Sequence, residues 1–137
     1  MSSEQAVNVS EQMVDEGLLV TVDAGSVTRF LAGDGPRLLF FAGSKSVRRE
    51  AHDVAVALRE LLRDYRGSLG AALVEPAAES ALQSRFRVPA TPCLVLLAGG
   101  EILEVLPRVR DWSDYLSLFQ RYLGAPPARQ GTVETAA

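Results

Sequence analysis

The segment RFRVPATPCLVLLAGGE, residues 85–101, carries the clearest signal of the fold. Pro89 and Pro92 bracket Ala90-Thr91, and the chain's only cysteine, Cys93, follows at once. Cys93 opens an apolar run, CLVLLA (93–98), which has the length of a strand covered on both faces. Gly99-Gly100 separates that run from EILEVL (101–106), a hairpin signal. A proline just before a buried strand marks the strand's mouth. A lone thiol placed there raises the question of whether it reacts.

Working outward, RLLFFA (37–42) and LGAALVE (69–75) are two more apolar runs of strand length, and LLVTV (18–22) is short and β-branched. Helical spacing fills the gaps between them. Val9, Met13 and Val14 predict a short helix at about 8–16, with Ser10 as its N-cap and Gly17 just past its end. Asp23 or Ser26 is placed to cap a second helix that buries Val27, Phe30 and Leu31. Val47, Ala51, Val54, Leu58, Leu61 and Tyr65 form one stripe of a long helix. Arg48, His52, Arg59 and Arg63 lie on its opposite, solvent-facing side. Pro76 opens another helix, as proline does in a first turn. Asp111 with Asp114 resembles a capping box before a last helix that buries Trp112, Tyr115, Leu116, Phe119 and Leu123.

The order β-α-β-α-β-α-β-β-α predicts parallel pairing for the strands joined by helices and antiparallel pairing for the closing hairpin. The expected fold is α/β, with one mixed central sheet flanked by helices on both faces. Residues 1–123 are expected to form a single domain, the short helix leading into a core over about 18–123. Residues 124–137, which lack aromatic, Leu and Ile side chains, are expected to be a disordered tail.

The 137 residues are 47% apolar and 23% charged, an ordinary balance for one globular domain. One cysteine excludes an internal disulfide, and no Cys/His cluster offers a zinc site. No metal or cofactor is expected. No apolar run approaches the roughly 20 residues that span a bilayer, so no membrane insertion is expected. The first residues lack the basic and apolar regions of a secretory signal, which agrees with a cytoplasmic location. A net charge of −3 argues against nucleic acid as a partner. The charge is uneven: residues 1–36 hold Glu4, Glu11, Asp15, Glu16, Asp23 and Asp34 against Arg29 alone.

The element order, with proline immediately before the fourth strand, resembles thioredoxin over about residues 18–123. ALRELLRDYRGSLGAALVE (57–75) is similar to that family's long second helix and central strand. RFRVPATPCLVLLAGGE is similar to its proline-led strand and glycine turn. The resemblance puts Pro92 at the family's cis-proline position, between Thr91 and Cys93. Redox members of that family need two cysteines, separated by two residues, at a helix start. The helix N-terminus lowers one thiol's pKa and the second thiol resolves the mixed disulfide. Here that region, AGSKSVRRE (42–50), has no cysteine. The family's buried proton-transfer acid would fall at Phe40. The resemblance therefore implies a binding protein and not an enzyme. Its site would be the cis-proline edge, Ala90, Thr91, Pro92 and Cys93, facing the Ser44, Lys45 and Ser46 loop. An extended peptide could add to it as a strand. Cys93 itself reads either as a small apolar filler or as a residual single-thiol site.

A narrower resemblance is to the thioredoxin-like hydrogenase expression accessory proteins of the HyaE, HupG and HoxO type. It rests on the short first helix ending at Gly17, the cysteine-free loop, RFRVPATPCLVLLAGG, and the last helix DWSDYLSLFQRYL. It implies a cytoplasmic chaperone in nickel–iron uptake hydrogenase maturation. Its partner would be the small-subunit precursor with its twin-arginine signal peptide, with other hydrogenase accessory proteins as further candidates. Glu11, Asp15, Glu16 and Asp23 are the acidic patch candidates for a paired-arginine segment. Two alternatives stay open: a redox protein or sensor using Cys93, and a scaffold in another complex.

Overall fold

The computed structural model describes residues 9–43 and 48–126. The run at 37–42 becomes the middle of a five-stranded sheet because its side chains are apolar on both faces. Strand β2, Pro36–Phe41, has Leu38, Leu39, Phe40 and Phe41 fully buried. Alternation sends Leu38 and Phe40 into one core layer and Leu39 and Phe41 into the other. Such two-sided burial is the pattern of a strand with helices above and below.

Strands β1 (Val20–Val22), β3 (Gly70–Val74), β4 (Cys93–Ala98) and β5 (Glu101–Pro107) complete the sheet in the order β1-β3-β2-β4-β5. β3 runs parallel to both β1 and β2, whereas β4 is antiparallel to β2 and β5 to β4. Gly99 and Gly100 turn the hairpin with φ of 59° and 82°, the two positive values that a tight turn matching strand twist requires. Helices α1 (Val9–Asp15), α3 (Arg48–Asp64) and α5 (Trp112–Leu123) pack on one face, where Met13, Leu58, Leu61, Tyr65 and Phe119 meet Phe40 and Leu94. Helices α2 (Val27–Leu31) and α4 (Glu79–Phe86) cover the other, where Val27, Leu82 and Phe86 meet Phe41, Cys93 and Val95. Each fully buried Phe or Leu contributes about 1.5–3 kcal/mol relative to exposure.

Several local expectations need correction. β1 covers only 20–22, because Leu18 and Leu19 are still closing the turn after α1: both donate their N–H to the Met13 carbonyl. Ser10 lies inside α1 and not at its cap position. Asp111 precedes α5, but its side chain makes no capping bond. Instead the Asp114 N–H donates to the Asp111 carbonyl at 2.9 Å. Trp112, the first residue of α5, is 41% exposed and does not join the core with Tyr115 and Phe119. His52 is half-buried, with Nδ1 withdrawn from solvent and without a hydrogen-bond partner in the structure. The expected tail falls at 127–137 outside the described residues.

Candidate functional site

The mouth of β4 is built by three connections. The Thr91–Pro92 peptide bond is cis, Pro92 is buried and Thr91 is half-exposed. Cys93 pairs with Phe41, so the chain leaving β2 through Ala42 and Gly43 runs beside it. The segment after β5 closes the third side, where the Arg108 N–H donates to the Pro92 carbonyl at 2.6 Å. Ser44, Lys45 and Ser46, the loop expected to face this edge, lie outside the described residues.

Cys93 itself belongs to the core. Its side chain is fully buried in the layer of Phe41, Leu82, Phe86 and Val95. Its Sγ–H points at the Leu94 carbonyl at 3.6 Å, a weak contact. Burial pushes its pKa up to about 12, against small opposing effects from the Leu106 backbone and the Arg110 charge. A thiol acts as nucleophile only as thiolate. At neutral pH this one stays protonated and shielded, so the structure favours its role as a small apolar side chain. Among the described residues no group of three or more His, Cys, Asp or Glu is arranged to hold a metal. No described helix is long and apolar enough to cross a membrane.

The acidic candidates separate into two kinds. Glu16 is engaged within the chain: Arg59 bonds its carboxylate and Arg63 stands 3.6 Å away. Asp23 fastens the turn before α2, where its Oδ1 accepts from Gly25 N–H, Ser26 N–H and Ser26 Oγ. Those bonds, the Ser26 hydroxyl foremost, hold the Asp23 carboxyl below its ordinary pKa. The stability it adds is therefore present above the unfolded aspartate pKa and lost as pH falls through the folded one. Glu11 and Asp15 remain exposed on α1, four residues apart and so on one face. Glu11 borders a cavity of about 180 Å³ at the ends of β2 and β3, with Ala42, Gly43, Val74, Pro76 and Glu79. Glu79 is only 5% exposed, and its Oε2 accepts the Gly43 N–H at 2.7 Å. It thus ties α4 to the chain just past the end of β2. A larger cavity, about 420 Å³, lies at the other end of the sheet beside Gly33–Gly35, Gly99 and Gly100.

Sequence reasoning missed four residues around the β4 mouth. Arg108, at the end of β5, has φ of 66°, a conformation rare for a residue with a side chain. Its guanidinium reaches across to Glu50 in the first turn of α3, with contacts of 2.7 and 2.6 Å to the two carboxylate oxygens. Val109 and Trp112, further along the same segment, are 39% and 41% exposed. The exposed-aromatic signal was hidden because Trp112 sits at a helical core spacing with Tyr115 and Phe119.

Comparison with known proteins places this geometry. A family model described as Hydrogenase-1 expression protein HyaE matches residues 9–115. The hydrogenase expression/formation protein HupG of Rhizobium leguminosarum is 39% identical over 109 residues, 77% of this chain and 73% of that protein. HoxO of Cupriavidus necator, described in the same words, is 35% identical over 127 residues, 91% of this chain and 79% of its own length. Among solved structures, a mutant thioredoxin from Halobacterium salinarum superposes with a TM-score of 0.64 at 19% identity, covering 79% of this chain and 93% of that one. The thioredoxin of Malassezia sympodialis gives 0.66 at 11% identity, over 76% and 90% of the two chains. These structures establish the thioredoxin-like fold.

Proposed function

Because this chain belongs to the HyaE family of hydrogenase expression proteins, we propose that it is a non-catalytic chaperone that holds the small-subunit precursor of a nickel–iron hydrogenase. It works in the cytoplasm and grips the precursor's twin-arginine signal peptide, in extended form, at the Thr91–Pro92 edge. One observation supports this reading above the rest. The Thr91–Pro92 bond is cis at the mouth of β4, while the only cysteine is buried in the core with its pKa raised to about 12. A chain can be held there, but no disulfide exchange can follow.

Thr91 is half-exposed at the mouth of β4, and the segment after β5, which is joined to Pro92 through the Arg108 N–H, carries exposed Val109 and Trp112 for apolar contacts. Exposed Glu11 and Asp15 supply negative charge on α1 for a basic segment. A full-length precursor, expressed with this protein carrying an affinity tag, is expected to co-purify with it. A precursor lacking its signal peptide is expected to be lost from the complex. Equal recovery of both forms would remove the signal peptide from the reading.

A further inference from the structure

We infer that Glu50 is a seat for a partner's arginine, filled in the free protein by the chain's own Arg108. This deepens the peptide-binding reading above and rests on it. Arg108 is joined by its backbone to the carbonyl of Pro92, and by its guanidinium to the first turn of α3. Its side chain therefore crosses the space between the β4 mouth and the start of α3. A peptide laid along Thr91 meets that crossing.

The contact shows what Glu50 can hold. Both carboxylate oxygens take one guanidinium nitrogen, at 2.7 and 2.6 Å, so the carboxylate is placed and oriented for this cation. The occupant is exchangeable. The Arg108 side chain is 53% exposed and the Glu50 side chain 30%, and a pair this wet is worth little. Release of the side chain leaves its backbone in place. The Arg108 N–H stays on Pro92, the Arg110 N–H on Tyr115 Oη at 2.9 Å, and Arg110 Nε on the Pro107 carbonyl at 2.9 Å. Val109, next in sequence to Arg108, and Trp112, the first residue of α5, are exposed apolar side chains in the same segment. The site fits an extended segment that carries an arginine, the guanidinium replacing Arg108 on Glu50.

The test is a titration, by anisotropy, of a labelled small-subunit signal peptide and of the same peptide with its arginines changed to glutamine. Arg108→Ala is expected to bind the arginine peptide roughly two- to fivefold tighter, the range of an exposed ion pair that no longer competes. Arg108→Gly, which suits the left-handed backbone, is expected to do the same if the alanine variant folds poorly. Glu50→Gln is expected to lose about tenfold for the arginine peptide, with little change for the glutamine peptide, so that most of the difference between the two disappears. The inference is overturned if Arg108→Gly binds no tighter than the wild-type protein, or if Glu50→Gln leaves the preference for arginine undiminished. In those cases wild-type binding still stands and the peptide reading survives. No binding by any variant rejects both.

Discussion

A thiol reagent such as DTNB, added to the folded protein at pH 8, is expected to leave Cys93 unmodified for as long as the domain stays folded. Two effects act together. A thiol with its pKa raised to about 12 is thiolate only to about one part in ten thousand at pH 8, against about a quarter for an ordinary cysteine near 8.5. The available nucleophile is thus reduced roughly two-thousandfold before access is considered. The sulfur is also fully buried under Leu82 and Phe86, so reagent reaches it only through opening of the fold. In denaturant one equivalent should react within the mixing time of an ordinary exposed cysteine. Rapid reaction in the native state would show that the thiol is accessible, and would restore the single-thiol redox reading.

Phe40→Asp is expected to unfold the domain, or to lower its stability by about 4 kcal/mol or more. Phe40 occupies the place where the resemblance to thioredoxin puts a proton-transfer acid. Here it is fully buried in the central strand, packed with Leu38, Leu94, Leu58 and Phe119. The substitution removes an aromatic ring and leaves a carboxylate without water or a cation. Burial would raise the pKa of that aspartate above its unfolded value of about 3.9. The variant is then least destabilised below that pH and loses stability as pH rises through the folded pKa. Urea denaturation at pH 4 and pH 7 checks both the size and the sign. A variant as stable as the wild type at pH 7 would mean that this layer tolerates an acid, and that Phe40 is no barrier to proton chemistry.

The fold was legible in the sequence because its strands are written as uninterrupted apolar runs. RLLFFA, LGAALVE and CLVLLA are buried on both faces, so their hydrophobicity is continuous and their boundaries come out within a residue or two. The glycine pair at 99–100 fixed the hairpin, because only such residues take two positive φ values in succession without strain. β1 was read too long for the opposite reason. Leu18 and Leu19 are buried by tertiary packing under α1, and burial alone does not distinguish a strand from a packed turn.

The site was legible in its chain-local part only. Thr91, Pro92 and Cys93 are consecutive, so their place at the mouth of β4 could be read from spacing. Glu50 and Arg108 stand 58 residues apart and meet only because β5 ends beside the start of α3. Glu79 meets Gly43 across 36 residues for a similar reason. Among the acidic candidates, Glu16 looked available from composition. Its neutralisation by Arg59 and Arg63 depends on how α1 lies along α3. Long-range charge pairing has no periodicity, and one sequence alone carries no trace of it.

The proposed role requires this molecule to hold an extended basic peptide without thiol chemistry. Calorimetric titration of the small-subunit signal peptide into the wild-type protein and Cys93→Ala, without reductant and at two salt concentrations, tests it most directly. The expected result is one-site binding of equal affinity to both proteins, weakened as salt screens the acidic groups. Binding that disappears with Cys93, or no heat of binding at either salt concentration, would contradict it.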